Sequence, residues 1–496
     1  MAHRFGRPKI TFSEEQIQSL FGHEAAENED PARLKEYYFK SKVYARVTAD
    51  LPVRLVVGHK GIGKSALFSI AMLEDREAGR LAISVKPDDV LAVATSSSDF
   101  NVAVRHWKDG LRRIVQDKAI SHFQIPREIT PSGATHRIGG FLVGLRNTLK
   151  PLLDPVVNLD PAERQLLRRF LDGTGRIIVY LDDLDRGWTN DPQDIARLSA
   201  LLNAVRDLST DEPGLQFRVA LRSDVYFLVR TSDESTDKIE SSVVWHSWLN
   251  HEILAMLAKR VSSYVGKRFD DEQLIAMAQP DLAQLLEPVL QPRYAGAGKW
   301  ENAPTYRILM SVIRRRPRDL VKLLTLAARC AADRRSNVIA TEDLKQSFSE
   351  YSQGRIQDTV NEYKSELPEI KRLLLDMKPT SKERRAGKEF VYTTSELLDK
   401  IRRVQEHTQF RTHRGDHVDA KWLAAFMYKI NFINARKVLP STFIDRKYFD
   451  ENRYLSGHFA DFGYDWEIHP AYWWALQPED VNEVCDRLAL TDDSSA

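Results

Sequence analysis

Gly58, His59, Lys60, Gly61, Ile62, Gly63, Lys64 and Ser65 fit the pattern G-x-x-x-x-G-K-[ST]. Glycines at 58, 61 and 63 let the backbone turn tightly and aim several N–H groups at one anion, and a helix opening at Lys64 adds the positive end of its dipole. In that setting Lys64 meets the β- and γ-phosphates of a nucleoside triphosphate, the Ser65 hydroxyl takes one position on Mg²⁺, and Ala66 closes the cofactor-binding run 58–66. A second constellation matches it. The apolar run Ile177, Ile178, Val179, Tyr180, Leu181 delivers Asp182, Asp183 and Asp185 at its end, followed by Arg186, as expected of a Walker B strand. Asp182 is placed to hold Mg²⁺ and Asp183 to polarise an attacking water. Aspartate reaches less far than glutamate there, which predicts slow or assembly-dependent hydrolysis. Asp185 and Arg186 read equally as direct participants or as a locally paired loop in water.

Two arginines are candidates for sensing the terminal phosphate. Arg222 follows the apolar run 217–221 directly, with Ser223 and Asp224 beside it, and reads equally as a sensor or as a surface arginine at a strand end. Arg318 opens a helical pattern in Arg316, Pro317, Arg318, Asp319, Leu320, where it can swing in with a lid. The cluster Arg314, Arg315, Arg316 reads as a solvated face.

The elements that must position these groups follow from periodicity. Short apolar runs at 54–57, 81–85, 177–181 and 217–221, and a weaker one at 243–246, predict buried parallel strands. Helical spacing at 107–122, 162–171 and 195–208 predicts crossovers around one sheet. The fold class is therefore α/β, a P-loop parallel-sheet core. From 249 onward helical patterns take over (249–265, 318–332, 341–351) and predict a lid; patterns at 360–377, 395–404 and 420–430, with a strand at 464–468, outline an α-rich winged-helix-like C-terminal domain. The expected division is 1–248 for the core with its N-terminal segment, 249–355 for the lid and 356–490 for the C-terminal domain. The span of about 86–175 is longer than a minimal core needs, and its sequence fits either a partner surface or extra helices over the sheet.

The chain has 496 residues, 43% hydrophobic and 29% charged, which fits a globular protein of several domains and excludes a disordered one. Lys and Arg number 72 against 70 Asp and Glu, so the molecule as a whole is no polyanion binder and any nucleic-acid site must be a local patch. Cys330 and Cys485 supply no disulfide framework or zinc site, no run approaches the roughly 18–20 apolar residues of a membrane span, and a cytoplasmic location without membrane contact is expected.

The succession of the P-loop, the Walker B run 181–186, Leu221, Arg222, Ser223, Asp224, and then Arg316 to Leu320 resembles the STAND and KAP branches of P-loop ATPases, relatives of AAA+ proteins. Phe21 and Gly22, Ala26 and Glu27, and Tyr37, Tyr38 and Phe39 ahead of Lys60 to Ala66, with Glu467, Ile468, His469 and Pro470 near the end, are similar to a bacterial subgroup of stand-alone ATPases. The resemblance implies an ASCE-type sheet, a helical lid, a winged-helix-like region, ATP with Mg²⁺, and a homo-oligomeric switch in bacterial signalling or phage defence working through an effector encoded nearby. It places Arg318 as a sensor 2 residue and Arg222 where a sensor 1 residue falls. The choice of ATP rests on the resemblance and on the lack of an N-K-x-D guanine motif.

Between 378 and 414, ten Lys or Arg face five Asp or Glu, a net of +5. On one face of a winged helix, Lys382, Arg384, Arg385, Lys388, Arg402 and Arg403 would contact phosphates; the same pattern also fits a solvated face or an acidic partner. Two other roles stay open: an ATP-gated DNA-binding regulator resembling replication initiators, and a nucleotide-bound scaffold without turnover. The aromatic residues Tyr464, Trp466, Tyr472, Trp473 and Trp474 read as core packing, and His469 as a turn residue.

Overall fold

The computed structural model describes residues 10–24, 28–90, 93, 99–122, 141–150, 161–172, 175–189, 191–232, 234–296, 298–387, 389–438, 444–452, 455 and 463–477. Ala26, Glu27, Lys388 and Cys485 lie outside the described residues. The described chain falls into two compact bodies, one drawn from 42–60 and 64–246, the other from the N-terminal segment to Ser41, Gly61–Gly63 and everything from Ser247 on.

In the first body, β1 (Val53–Val57), β2 (Leu81–Val85), β3 (Ile177–Leu181), β4 (Leu215–Leu221) and β5 (Val243–Trp245) form one parallel sheet in the order β2-β3-β4-β1-β5. The strands read as near-continuous apolar runs because helices cover both faces, and every side chain of β3 and β4 is buried. Strand β4 lies between the P-loop strand β1 and the Walker B strand β3, which is the ASCE arrangement. Register pairs Val57 with Leu221, Leu181 with Val219, and Val85 with Leu181, so Gly58, Asp182 and Arg222 leave the sheet at one edge.

Strand β4 begins two residues earlier than its apolar pattern suggests, because its polar residues are satisfied internally. Gln216 donates to Asp50, and the Arg218 guanidinium donates to the carbonyls of Ala49 (2.9 Å) and Leu51 (2.9 Å), just past the end of the helix Lys42–Thr48. A cation there complements the helix dipole, although burial lowers the Arg218 pKa to about 10. The described part of the long insertion is sheet cover. The helix Phe100–His122 packs on the helix Pro192–Asp211 and sends Trp107, Leu111, Val115 and Ala119, spaced four apart, into the core.

The second body corrects two expected boundaries. The N-terminal segment belongs here and not with the P-loop core: Ile17, Leu20 and Phe21 of the helix Glu14–Phe21 are buried, and that helix packs on Asn250–Tyr264 and Pro317–Asp333. Glu14 pairs with Arg329 (2.8 Å) and Glu24 with Lys322 (3.0 Å). The helix Thr341–Tyr363 runs unbroken through the expected end of the lid. The helix expected over 360–377 is divided instead, its second part starting at Ile370 after Pro368, which cannot donate a backbone hydrogen bond in a helix interior.

Lid and C-terminal segments are joined by a buried ionic network. Asp319 lies between two arginines: Arg314 donates to it through Nε (2.7 Å) and Nη2 (3.0 Å), and Arg355 through Nη1 (2.7 Å). Arg314 also donates to the Tyr472 hydroxyl (2.7 Å) and Thr359 Oγ1 (3.3 Å). The expected solvated face at 314–316 is thus overturned. Arg314 and Arg316 are buried, and Arg315 pairs with Glu451 and lies over the Tyr448 ring.

The C-terminal part contains β6 (Val391–Tyr392), the helices Thr394–His407 and Ala420–Lys429, then β7 (Ile433–Val438), β8 (Ile444–Lys447) and β9 (Asp465–Ile468). Two helices followed by the β7–β8 hairpin give the winged-helix outline, and β9 inserts between β6 and β7. Strand β8 hides from a polarity reading because one of its inward residues is Arg446, buried against Glu467 (2.6 Å). The aromatic residues pack as expected: Phe348 stacks on Trp474 (4.4 Å) and Phe390 on Trp473 (4.4 Å). His469 caps the turn Pro470–Tyr472 by accepting from the Ala471 N–H (3.1 Å).

Replacing Asp319 by Ala leaves two buried arginines uncompensated and should cost about 3–5 kcal/mol, whereas Tyr472→Phe removes one hydrogen bond and should cost about 1–3 kcal/mol. Urea midpoints of the two variants check the order.

Candidate nucleotide site

The P-loop opens where the strand register places it. The Gly58 N–H donates to the Leu221 carbonyl (3.2 Å), fixing the loop's first residue to the end of β4. Gly61 and Gly63 have φ of +81° and +106°, values that side-chain-bearing residues avoid, so the two glycines are required by the turn itself. The helix Lys64–Glu77 begins directly after them, with apolar residues Leu67, Phe68, Ile70 and Ala71 buried. Its first residue turns back over the loop: Lys64 Nζ donates to the carbonyls of Gly58 (2.7 Å) and His59 (3.2 Å). His59 and Ile62 are buried, Gly61, Gly63, Lys64, Ser65 and Ala66 are half-buried, and Lys60 is exposed.

Within the second body, the Ile62 carbonyl accepts from Trp248 Nε1 (2.8 Å) and the Gly61 carbonyl accepts from the Arg318 N–H (3.5 Å). A Cβ at Gly61 would meet the Arg318 side chain at 3.3 Å. Arg318 Nε donates to the Glu24 carbonyl (3.2 Å). Trp248 and Glu24 carry no signature in the sequence; only the chain's return to this loop reveals them.

At the edge of β3, the Asp182 N–H donates to the Val85 carbonyl (3.2 Å), and its carboxylate accepts from the Asp183 N–H (3.0 Å). Burial pushes the Asp182 carboxyl up and the Asp183 charge adds to that, while a hydrogen bond from Ser65 and the Lys64 cation draw it down. Two hard oxygen donors near a lysine, the Ser65 hydroxyl and the Asp182 carboxylate, fit Mg²⁺ held jointly with phosphate oxygens. Asp183 adopts φ +59° and pairs with Arg186 at 3.3 Å, both side chains more than half exposed. An exposed pair of this kind is weak and readily exchanged. Asp185 is not part of a solvated loop: it is buried, and it accepts from the Arg222 N–H (3.2 Å).

The sequence-derived basic patch is partly consumed by internal pairing. Lys400, counted in its net charge, is buried against Glu383 (2.8 Å). Arg402 pairs with Asp399 (2.5 Å) and Arg403 donates to the Asp399 carbonyl (3.4 Å), both staying exposed. Lys382, Arg384 and Arg385 lie exposed on the helix Ser381–Arg385. Among the described residues no helix is long and apolar enough to cross a membrane.

Comparison with known proteins adds the following. A family described as the FunZ-associated C-terminal helical domain matches residues 251–360. The putative transposon gamma-delta 80.3 kDa protein of Escherichia coli K12 is 22% identical over 531 residues, spanning 96% of this chain and 71% of that protein. Among solved structures, the Aeropyrum pernix ORC2 protein in its ADPNP–ADP complexes overlaps with a TM-score of 0.39 at 11% identity, covering 98% of this chain and 95% of that one. The Aeropyrum pernix ORC1 protein in complex with DNA overlaps with a TM-score of 0.34 at 14% identity, covering 95% and 96%.

Lys64→Ala removes the cation that folds back over this glycine-rich loop. It should weaken nucleotide binding by about 10- to 100-fold, the worth of one or two charge-assisted hydrogen bonds, as read by titration calorimetry.

Proposed function

We propose that the protein is a Mg²⁺-dependent ATPase that works as a molecular switch. The observation that carries this reading is the convergence of three strand ends: Lys64 and Ser65 after β1, Asp182 and Asp183 after β3, and Arg222 after β4. Bound with the triphosphate, Mg²⁺ supplies charge neutralisation at the phosphate oxygens. The chain's own residues do the rest. The loop's N–H groups bind the phosphates, Lys64 exchanges its carbonyl partners for phosphate oxygens, and Ser65 and Asp182 hold the metal. Asp183, released from Arg186, accepts the proton of an attacking water. Arg222 and Arg318 are the candidates for contacting the terminal phosphate.

The finer role is a homo-oligomer in bacterial signalling or phage defence, acting through a separate effector, as implied by the STAND and KAP resemblance. The exposed Lys382, Arg384, Arg385 and Arg403 support a second reading, in which nucleotide gates DNA binding by the C-terminal part.

Steady-state ATP hydrolysis by the full chain, with particle mass followed and double-stranded DNA present or absent, tests these roles. Turnover should vanish in Lys64→Ala and fall about 100-fold or more in Asp183→Ala, the usual size of a general-base contribution. Assembly that follows nucleotide and ignores DNA fits the oligomeric switch; turnover that rises with DNA fits the gated binder. Tight ATP binding without any turnover would refute the ATPase and leave a scaffold.

A further inference from the structure

Arg222 is held in a way that a surface arginine at a strand end would not be. Its guanidinium meets Asp224 along both edges, Nε donating to Oδ1 (3.1 Å) and Nη2 to Oδ2 (2.6 Å). This bidentate fork fixes the plane of the group as well as its position. The Arg222 N–H donates to Asp185 Oδ2 (3.2 Å), and that same oxygen lies 3.8 Å from Arg222 Nε. All three side chains are largely removed from water, 14% exposed for Arg222, 8% for Asp185 and 1% for Asp224. Asp224 stands in the first turn of the helix Ser223–Ser232, where a negative charge is favoured.

Two carboxylates around one arginine are more than charge balance needs. Burial pushes the Asp185 carboxyl up, against the pull of Arg222 and Lys64, so this arrangement is held at a cost. Its geometry suggests what the cost secures. Asp185 follows Asp182 by three residues, so its bond to the Arg222 backbone ties the loop carrying the metal-binding carboxylate to the end of β4. Resting on the ATPase reading above, we propose that Asp224 and Asp185 are positioning residues for Arg222. The first fixes its guanidinium plane and the second locks it to the Walker B loop, so that the arginine meets the terminal phosphate in one orientation. Preorganisation of this kind matters most in the transition state, where the charge on the transferred group is redistributed.

The test is a double-mutant cycle on the full chain, reading kcat and KM for ATP hydrolysis and the affinities for ADP and a non-hydrolysable ATP analogue. Arg222→Ala should lower kcat about 100-fold, the usual cost of one preorganised donor, and Asp224→Asn about 10-fold or more with KM within about threefold. If Asp224 acts through Arg222, the double variant is no slower than Arg222→Ala alone. Losses that multiply, or an Asp224→Asn protein indistinguishable from wild type, overturn the proposal. Asp185→Asn keeps an acceptor for the Arg222 N–H while losing charge, and should show the same non-additivity; it serves if Asp224→Asn does not fold. Absence of Lys64-dependent turnover would refute the ATPase reading separately. The ratio of ADP to analogue affinity then decides: a ratio shifted alike by Arg222→Ala and Asp224→Asn sustains the positioning role, and a ratio unchanged by Asp224→Asn overturns it.

Discussion

Asp319 is the residue on which the second body turns. Its carboxylate is 1% exposed and answers two guanidinium groups from positions 314 and 355, one of which reaches on to Tyr472. A buried ionic cluster is expensive to assemble and more expensive to break, and it tolerates only one mutual placement of its members. Here those members come from the segment before the helix Pro317–Asp333, from the helix Thr341–Tyr363 and from the turn at Pro470–Tyr472. The cluster therefore makes the lid and the C-terminal sheet one unit. Arg318, adjacent to Asp319, inherits a backbone whose position is set by residues far along the chain.

The sheet of the first body solves a related problem differently. Its strands are apolar, but Arg218 and Tyr180 introduce polar groups into the layer beneath the helices. Each finds a partner of defined geometry: Arg218 the carbonyls beyond a helix end, Tyr180 the Asp75 carboxylate at 2.6 Å. These partners are distant in sequence, 167 and 169 residues from Arg218 and 105 from Tyr180, as Tyr472 is from Arg314 in the other body.

What could be read in advance is what contiguous residues spell out. The P-loop and the Walker B run are legible because their chemistry is written in contiguous residues, and β1, β2, β3 and β4 because strands buried on both faces are apolar throughout. The position of the N-terminal segment was not legible, since a short amphipathic helix such as Glu14–Phe21 shows an apolar face and not the surface that receives it. Arg314 and Arg316 read as solvent-facing because three successive arginines look like a charged surface, although Arg314 is matched by Asp319 five residues on and by Tyr472 from the far end of the chain. A similar misreading hid strand β8, its inward arginine being matched by Glu467 on β9. Of the candidate site, the glycine-rich turn before the helix Lys64–Glu77 and the carboxylates at the end of β3 were readable; the grip of Asp224 on Arg222 needed the rotamers.

The insertion of β9 between β6 and β7 has a consequence for synthesis. A ribosome releases β6, two helices and the β7–β8 hairpin before residues 465–468, yet among the described residues β6 hydrogen-bonds to no strand but β9. Until that late segment arrives, the nascent domain exposes one unpaired edge on β6 and another on β7, the kind of surface that invites intermolecular pairing. The four residues of β9 thus act as the closing piece of this sheet.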